Sequence, residues 1–395
     1  MQPMQQLDTL FAQAIERGDV PGVVAVASTN DEIIYEGAFG KRALDRPDPM
    51  TLDSVFWLAS MTKAVTSTAA MQLVEQGKLA LDVPIGALLP QLAAPRILQG
   101  FDESGAPVFR AATTPITLRQ LLTHTAGFAY DMWNADLARY CREKGIPPVR
   151  SCEKKALTAP LASEPGSQWE YSIGIDFVGL AVEAASGQRL DAYFREHIFA
   201  PLRMKDTDFA IAPEMRERLV GMHARQADAR LQPMAFELPQ EPEFHMGGGG
   251  LYGTAHDYVR FIRVFLNKGA LDGKRVLKAE TVALMAQNHI GDLNVRKLSA
   301  AIPQVTNDID LYPEQDKKWG LGFMINTERT KEGRSPGSLA WAGLANTYFW
   351  IDPIRNVGGV ILAQLFPFAD TKVLKLFSAF ERAVYNTLDG AKRAA

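Results

Sequence analysis

Ser60-Met61-Thr62-Lys63 follows the apolar run Val55–Ala59 and precedes a helical pattern over residues 64–76. Apolar side chains recur at helical spacing in that pattern, which predicts a long helix. Ser60 is therefore expected at the first turn of the helix, with Lys63 one turn further along the same face. This spacing places an ammonium near a hydroxyl, and the N–H groups at the helix start can stabilise a developing oxyanion.

A Ser-x-x-Lys spacing has a common structural interpretation and a rarer catalytic one. Most such pairs are a helix cap followed by a solvated lysine. A serine hydroxyl is a weak nucleophile until a neighbouring base takes its proton, and Ser-x-x-Lys supplies both groups within four residues. The small residues Ala64, Ser67 and Ala69 favour a closely packed helix with a buried lysine. The catalytic interpretation requires partner residues elsewhere in the chain.

Length and composition exclude several functional classes. A chain of 395 residues is long enough to bury a large core and to form two subdomains. Its formal net charge of −3 gives no electrostatic reason to expect binding to nucleic acid or to an anionic membrane. The sequence shows neither a signal peptide nor an apolar run of membrane-spanning length. We therefore expect a cytoplasmic protein in which Cys141 and Cys152 are reduced.

The order of the predicted elements indicates an α+β fold. Strands are predicted over residues 23–27, 33–37, 319–325, 339–341, 348–352 and 357–365. Helices are predicted over residues 7–17, 64–76, 176–185, 190–199, 254–265 and 371–388, with Asp82 and Thr117 as further helix N-caps. We therefore predict an antiparallel sheet domain, covered by the terminal helices and formed by residues 1–80 and 245–395. A mainly helical domain is predicted over residues 81–244.

Two further stretches supply candidate partners for Ser60 and Lys63. Tyr171 follows a polar loop, where a tyrosine is usually an amphipathic residue at the edge of the core. Beside a buried cation, however, the pKa of a phenol falls and the phenol can take a serine proton. Trp341-Ala342-Gly343 lies on a predicted strand, and the next N–H group, of Leu344, is placed to complete an oxyanion hole. The alternative is that Trp341 is a buried residue of a core strand.

These three stretches, in this order and spacing, resemble those of the serine β-lactamase-like family. Within that family the chain resembles the family VIII carboxylesterases and related acyltransferases, which share the fold of class C β-lactamases and DD-peptidases. Ser60–Lys63 matches the family's S-x-x-K motif, Tyr171-Ser172-Ile173 stands for Y-x-N, and Trp341–Gly343 takes the place of K-T-G. Supporting stretches also match, over residues 121–127, 249–254 and 319–323.

The departures from the family motifs bear on the substrate class. In the lactamases the asparagine of Y-x-N hydrogen-bonds the substrate's amide side chain, which Ile173 cannot do. The lysine of K-T-G attracts the carboxylate of a β-lactam, and Trp341 carries no charge. Both changes make the pocket more apolar, so the resemblance implies neutral esters in preference to anionic lactams.

Other motifs lack the structural context that their chemistry needs. Gly333–Gly337 fits the G-x-S-x-G nucleophile elbow around Ser335, but no strand precedes it and no helix follows. Gly248–Gly253 fits G-x-G-x-x-G without a preceding buried strand or a following βαβ unit. The six histidines form no metal-binding motif, and His124 is expected to be a structural hydrogen-bonding residue.

The residues and the resemblance together predict a serine hydrolase that forms an acyl-enzyme on Ser60. Lys63 and Tyr171 jointly accept the serine proton, and which of them is the formal base stays open. The N–H groups of Ser60 and Leu344 hold the oxyanion, Tyr171 protonates the leaving alcohol, and water or a second alcohol takes the acyl group. The predicted substrate-binding residues are Trp341, Ala342, Gly343, Ile173, Phe128, Tyr130 and Trp133.

No cofactor or metal is implied, and the predicted partner is a small-molecule ester. Two alternatives stay open. The first is a β-lactamase or D-amino-acid peptidase with the same nucleophile. The second is an inactive, ligand-binding relative of these hydrolases, although the joint presence of Ser60, Lys63 and Tyr171 argues against it.

Overall fold

The computed structural model describes the backbone of residues 3–394 and the side chains of residues 3–390. The helices are α1 Pro3–Glu16, α2 Thr62–Glu75, α3 Leu118–Leu122, α4 Ala135–Lys144, α5 Gly174–Ser186, α6 Leu190–Phe194, α7 Ala200–Leu202, α8 Pro213–Arg216, α9 Ala255–Leu266, α10 Ala279–Met285 and α11 Thr371–Ala394. Short helical turns occur at Ala59–Met61, Ile85–Ala87, Pro90–Leu92, Asp131–Trp133, Val149–Ser151, Lys154–Thr158 and Arg195–Phe199.

The strands come from both ends of the chain and from its middle. They are β1 Gly22–Thr29, β2 Ile33–Gly40, β3 Phe56–Trp57, β4 Arg96–Phe101, β5 Pro107–Ala111, β6 Met222–Arg225, β7 Leu231–Met234, β8 Tyr252–Gly253, β9 Ala270–Leu271, β10 Lys274–Arg275, β11 Lys317–Trp319, β12 Met324–Asn326, β13 Leu339–Gly343, β14 Thr347–Asp352, β15 Val357–Leu362 and β16 Leu365–Phe366.

A seven-stranded antiparallel sheet joins the two ends of the described chain, in the order β11-β12-β13-β14-β15-β1-β2. The N-terminal strand β1 pairs directly with β15, with Val24 opposite Leu362 and Thr29 opposite Val357. This arrangement confirms the predicted α+β fold with a single main sheet.

Alternation along β14 explains how helices cover both faces of the sheet, because successive side chains of a strand point to opposite faces. Tyr348 packs on Phe377 of α11, at 5.0 Å between ring centroids. Phe349, one residue later, packs on Tyr258 of α9 at 5.1 Å. The helix α1 packs against α11 and β2, so the terminal helices share one face and α9 occupies the other.

The predicted strand over residues 319–325 is wrong. The chain turns back between β11 and β12, with Trp319 opposite Met324 in the antiparallel register. The turn needs Gly322, whose φ of +100° is unfavourable for a residue with a Cβ. A Cβ at that position would also lie 2.4 Å from Ser67 Oγ on α2. The glycine therefore allows the turn to contact the helix that follows Ser60.

One predicted helix cap is confirmed and the other is wrong. Thr117 begins α3 in a reciprocal capping box with Gln120, whose N–H lies 3.3 Å from Thr117 Oγ1. Asp82 begins no helix and instead accepts hydrogen bonds from the guanidinium of Arg119, at 2.6 and 2.7 Å. The prediction for Asp82 failed because the local sequence does not show which donor an aspartate binds. An aspartate that caps a helix and one that binds an arginine can have the same neighbours in sequence.

The middle of the chain contains the short helices α3 to α8, but it also contains the hairpins β4-β5 and β6-β7. The division into domains at residues 81 and 244 stays a prediction. Helix α5 from this region packs against α2, which brings the residues around Tyr171 close to Lys63. None of the helices in residues 3–394 combines the length and the apolar character that crossing a bilayer requires.

Candidate active site

Ser60 lies in the short turn Ala59–Met61 that leads into α2. Ala59 has φ +48°, a left-handed conformation that is strained for a residue with a Cβ. Two contacts hold the turn in place: the Leu58 N–H donates to the Leu251 carbonyl at 2.9 Å, and the Thr347 hydroxyl donates to the Leu58 carbonyl at 3.2 Å. The strained turn thus fixes Ser60 at the start of the helix, as its position in the sequence predicts.

Lys63 is buried, as the small residues of α2 predict, with 1% of its surface exposed. Its ammonium donates to Ser60 Oγ at 3.1 Å, to Tyr130 Oη at 2.9 Å and to the Gly248 carbonyl at 2.6 Å. Burial lowers the pKa of Lys63, while the charge of Asp176 opposes that shift. A larger fraction of Lys63 is therefore the free amine at neutral pH than for a solvated lysine.

Tyr171 is buried beside the same lysine. Its hydroxyl oxygen accepts a hydrogen bond from Trp341 Nε1 at 2.9 Å, and the two rings are 4.8 Å apart. Burial raises the pKa of Tyr171, and hydrogen bonds with Ser60 and Trp341 only partly offset that rise. The expectation that Lys63 lowers this pKa is wrong. Lys63 Nζ lies over the face of the Tyr171 ring, 4.8 Å from its centroid, and desolvation of the phenolate outweighs the other effects.

The end of β13 reaches the Ser60 turn because Gly343 permits a close approach. A Cβ at Gly343 would lie 2.3 Å from the Leu58 carbonyl oxygen and 3.2 Å from Ala59 Cβ. Beyond Ala340, β13 pairs with β14 and with no other strand of the described residues, so its second edge is unpaired there. The next residue, Leu344, lines the same cavity as Ser60. Within the described part of the chain, neither the Ser60 N–H nor the Leu344 N–H donates a hydrogen bond to the protein.

An open pocket lies beside Ser60, with about 430 Å³ of empty space that includes open solvent, and we call it the Ser60 cavity. Most of its walls are apolar or aromatic, including Trp57, Met132, Trp133, Val149, Met246 and Leu344. Its charged lining residues are Asp131 and Arg150. Burial raises the pKa of Asp131, and the positive charge of Arg150 acts in the opposite direction. The cavity therefore suits an apolar group, with one residue of each charge on its wall.

Five of the predicted substrate-binding residues line three different cavities. Tyr130 and Trp133 line the Ser60 cavity. Trp341 and Ala342 line a separate cavity that does not include Ser60. The prediction for Phe128 is wrong, because this ring stacks on Phe177 at 4.8 Å and lines a third cavity.

Ile173 also lies outside the Ser60 cavity. It is buried, with 5% of its surface exposed, at the residue that precedes α5. Its backbone carbonyl accepts the N–H of Asp176 at 2.9 Å, which begins the helix. Ile173 therefore does not line the Ser60 cavity. Because its side chain has no amide, it also cannot make the hydrogen bond that the asparagine of Y-x-N makes in the lactamases.

Two further polar groups at Lys63 were not predicted from the sequence. Asp176 is fully buried on the first turn of α5, and its Oδ1 accepts the Gly248 N–H at 2.8 Å. The hydroxyl of Tyr130, which was predicted only as a wall residue, accepts a hydrogen bond from Lys63. An acidic residue among the apolar residues 173–182 of a buried helix is the signal that would have identified Asp176.

The competing motifs have structural roles. His124 is buried with φ +58°, and its Nδ1 lies 3.3 Å from the Ser172 hydroxyl and accepts the Ser172 N–H at 3.3 Å. Burial lowers the pKa of His124 well below its usual value. Ser335 lies in a turn before β13, where its N–H donates to Asp352 at 2.8 Å. No helix follows it, so the nucleophile-elbow geometry is absent at this position.

Comparison with known proteins agrees with this fold. The chain matches the model of the Beta-lactamase family over residues 7–381 and belongs to that family. The lovastatin esterase of Penicillium rubens is 30% identical over 96% of this chain and 98% of its own length. The monacolin J acid methylbutanoyltransferase of Aspergillus terreus is 30% identical over 97% of this chain and 96% of its own.

Solved structures show the same relationship. A mutant of simvastatin synthase from Aspergillus terreus superposes with a TM-score of 0.86, at 31% identity over 98% of each chain. EstCE1, a hydrolase with promiscuous acyltransferase activity, shares the fold with a TM-score of 0.75 at 23% identity, over 97% of this chain and 98% of its own. The chain is thus a β-lactamase-fold protein whose relatives include an esterase and acyltransferases, which supports a serine hydrolase.

Proposed function

We propose that this protein is a serine carboxylesterase of the family VIII type, which hydrolyses short-to-medium uncharged acyl esters through an acyl-enzyme on Ser60. The observation that carries the proposal is the buried Lys63 ammonium, 3.1 Å from Ser60 Oγ in a cavity with largely apolar walls. Transfer of the acyl group to a second alcohol is a further activity of the same site. An esterase and an acyltransferase among the relatives support both reactions. A cytoplasmic location stays a prediction.

Burial lowers the pKa of Lys63 and raises the pKa of Tyr171, so the two residues take different roles in proton transfer. Burial favours the free amine of Lys63, which takes the proton from Ser60 Oγ as that oxygen attacks the ester carbonyl carbon. Burial keeps Tyr171 a phenol, which donates its proton to the alkoxide as the C–O bond breaks. The ammonium proton then returns to the phenolate, so the Lys63–Tyr171 pair regains its starting charge.

The second half of the reaction repeats these steps with water or an alcohol as the nucleophile. The N–H groups of Ser60 and Leu344 stabilise the oxyanion in both halves, since neither is used by another part of the described chain. The indole N–H of Trp341 donates to Tyr171 Oη and stabilises the phenolate that forms when the alcohol leaves.

The nucleophile assignment is tested by comparing Ser60→Ala with Ser335→Ala, the serine of the competing motif. Ser60→Ala should reduce kcat/KM for p-nitrophenyl butyrate by about 10³-fold or more, because no other group can form the acyl-enzyme. Ser335→Ala should stay within a few-fold of the wild type, since Ser335 lies in a turn before β13 and its N–H is used by Asp352.

Labelling by a fluorophosphonate probe supplies the second measurement. Peptide mass spectrometry should find the phosphonate on Ser60 in the wild type and in Ser335→Ala. Phosphonate on Ser335, or an active Ser60→Ala variant, would contradict the assignment. Absence of both turnover and labelling in the wild type would leave the inactive, ligand-binding relative as the correct interpretation.

A further inference from the structure

Asp176 is a buried carboxylate that none of the catalytic steps above uses. It lies five residues after Tyr171, on the first turn of α5, with no exposed surface. Its Oδ1 accepts the Gly248 N–H at 2.8 Å, and its Oδ2 has no hydrogen-bond partner in the described part of the chain. Burying a carboxylate is costly unless a charge or hydrogen bonds compensate. The position of the compensating charge therefore indicates what Asp176 does.

Gly248 connects this carboxylate to Lys63. Its N–H donates to Asp176 and its carbonyl accepts the Lys63 ammonium at 2.6 Å, so one residue is hydrogen-bonded to both charges. The close approach requires glycine, because a Cβ at this position would lie 2.6 Å from Asp176 Oδ2 and 2.9 Å from Oδ1. Hydrogen bonds in such a chain polarise one another in a buried environment.

The other groups around Lys63 supply no opposite charge. Ser60 and Tyr130 are neutral hydrogen-bond partners, and Tyr171 presents its ring face to the ammonium. Burial keeps His124 neutral, and Asp131 lies on the cavity wall beside Tyr130. The thiol of Cys152, which faces Asp176, stays protonated because burial raises its pKa to about 12. Among the described residues, Asp176 is the acidic side chain whose negative charge opposes the fall in the pKa of Lys63.

We propose that Asp176 is a positioning residue that holds the Gly248 carbonyl on Lys63 and, through its charge, sets the pH at which Lys63 becomes the free base. This inference rests on the proposed function, in which Lys63 takes the proton from Ser60. The two parts of the role can be separated by substitution. Asparagine keeps an oxygen that accepts the Gly248 N–H but removes the charge, whereas alanine removes both.

The pH profile of kcat/KM tests the charge. The negative charge of Asp176 stabilises the Lys63 ammonium, so Asp176→Asn should lower the pKa of Lys63. The acidic limb of the kcat/KM profile should then move to lower pH, by about one unit or more. Asp176→Ala should also free the Gly248 carbonyl, which then no longer holds Lys63 in position. We expect kcat/KM to fall by roughly 10²-fold, because small misplacements of a catalytic group are costly.

Asp257→Asn is the matched control. Asp257 is also a buried acid whose pKa burial raises to about 6, but it accepts the Asp206 N–H at 2.8 Å and the Thr207 hydroxyl at 2.9 Å, at the start of α9. Its substitution should lower stability without moving the acidic limb. An unchanged limb in Asp176→Asn, or an equal shift in Asp257→Asn, would overturn the inference.

Gly248→Ala supplies a second test in case Asp176→Asn does not fold. The added methyl should displace the carboxylate from the Gly248 N–H while Asp176 is retained, and kcat/KM should fall. Wild-type kcat/KM in Gly248→Ala would contradict the role of the Gly248 connection. Failure of the proposed function is recognised separately, because it would remove Ser60-dependent turnover and phosphonate labelling from the wild type itself.

Discussion

At the scale of single residues, the Lys63 ammonium contacts three hydroxyl-bearing side chains of the candidate site. The Lys63 ammonium lies between the hydroxyls of Ser60 and Tyr130 and over the ring of Tyr171. Because these groups are buried together, the protonation of each depends on that of the others. The functional unit is therefore the set of groups, and a single pKa does not describe any one of them.

Lys63→Ala and Tyr171→Phe are expected to be non-additive. Each should reduce kcat severely, because each removes one end of the proton path, and the double variant should be little worse than either single one. The measurement is kcat for p-nitrophenyl butyrate in the full double-mutant cycle. Free-energy losses that simply add would show that the residues act independently.

Tyr385→Phe is the control for removing a buried phenol hydroxyl. Tyr385 lies on α11 and does not line the Ser60 cavity. Its hydroxyl donates a hydrogen bond to Asp352 at 2.9 Å. This variant should keep kcat near the wild-type value. A loss as large as that of Tyr171→Phe would mean that the cycle reports stability and not catalysis.

At the scale of secondary structure, helix α11 is attached to the sheet by a buried ion pair. Arg334, in the turn before β13, bonds Glu381 of α11, and each side chain has 1% of its surface exposed. The guanidinium also lies 5.7 Å from the ring centroid of Trp350 and 5.4 Å from that of Phe377. Although Arg334 lies only seven residues before Trp341, its guanidinium is bound by α11 and does not line the Ser60 cavity.

Breaking this pair should destabilise the fold without altering the chemistry. Glu381→Gln or Arg334→Met leaves one buried charge without its partner, which costs about 3–5 kcal/mol in the free energy of unfolding. Urea denaturation monitored by tryptophan fluorescence measures the loss. The folded fraction of each variant should keep its kcat for p-nitrophenyl butyrate.

The exposed pair Arg216–Glu237 is the control for this measurement. Its side chains are 50% and 33% exposed, so Arg216→Ala should change the free energy of unfolding by less than about 1 kcal/mol. Equal losses in the free energy of unfolding at both ion pairs would show that burial does not determine how strongly an ion pair stabilises the fold.

At the scale of the whole molecule, the Ser60 cavity lies where the end of the sheet meets the helices of the middle region. Met246 and Leu344 contribute apolar walls, whereas Asp131 and Arg150 contribute opposite charges. Arg150 forms no ion pair or side-chain hydrogen bond with the described residues. A substrate carboxylate would therefore be attracted by Arg150 and repelled by an ionised Asp131 in the same cavity.

The cavity predicts a preference for neutral acyl esters over penicillins. Each methylene buried against an apolar wall contributes about 0.8 kcal/mol until the cavity is full. Across p-nitrophenyl acetate, butyrate, octanoate and palmitate, kcat/KM should therefore rise and then fall. Benzylpenicillin should be the weaker substrate, because its carboxylate lacks a dedicated counter-charge.

The decisive comparison is kcat/KM for the butyrate ester against benzylpenicillin under the same conditions. A penicillin value equal to or above the ester value would overturn the esterase assignment. Arg150→Ala is the matched variant for that case: it should leave butyrate turnover unchanged, and it would lower penicillin turnover only if Arg150 binds the carboxylate.

Local sequence patterns were sufficient to predict the fold class, the proposed nucleophile Ser60 and a buried Lys63 beside it. Strong apolar periodicity predicts the α+β order, and the small residues after Ser60 predict a buried Lys63. These features depend on local patterns, which are visible without knowledge of the fold. The turn between β11 and β12 was missed because a Gly-containing apolar run is compatible with both a strand and a hairpin.

Contacts between side chains that are far apart in the sequence depend on tertiary packing, which local patterns do not report. Gly248 lies 185 residues from Lys63, yet its carbonyl accepts the lysine's hydrogen bond and its N–H donates to Asp176. Phe128 and Arg334 carry the right chemistry for a pocket wall or a counter-charge, but packing directs them elsewhere. Sequence patterns report the face of an element that is buried. Which neighbour that face contacts depends on the packing of the whole chain.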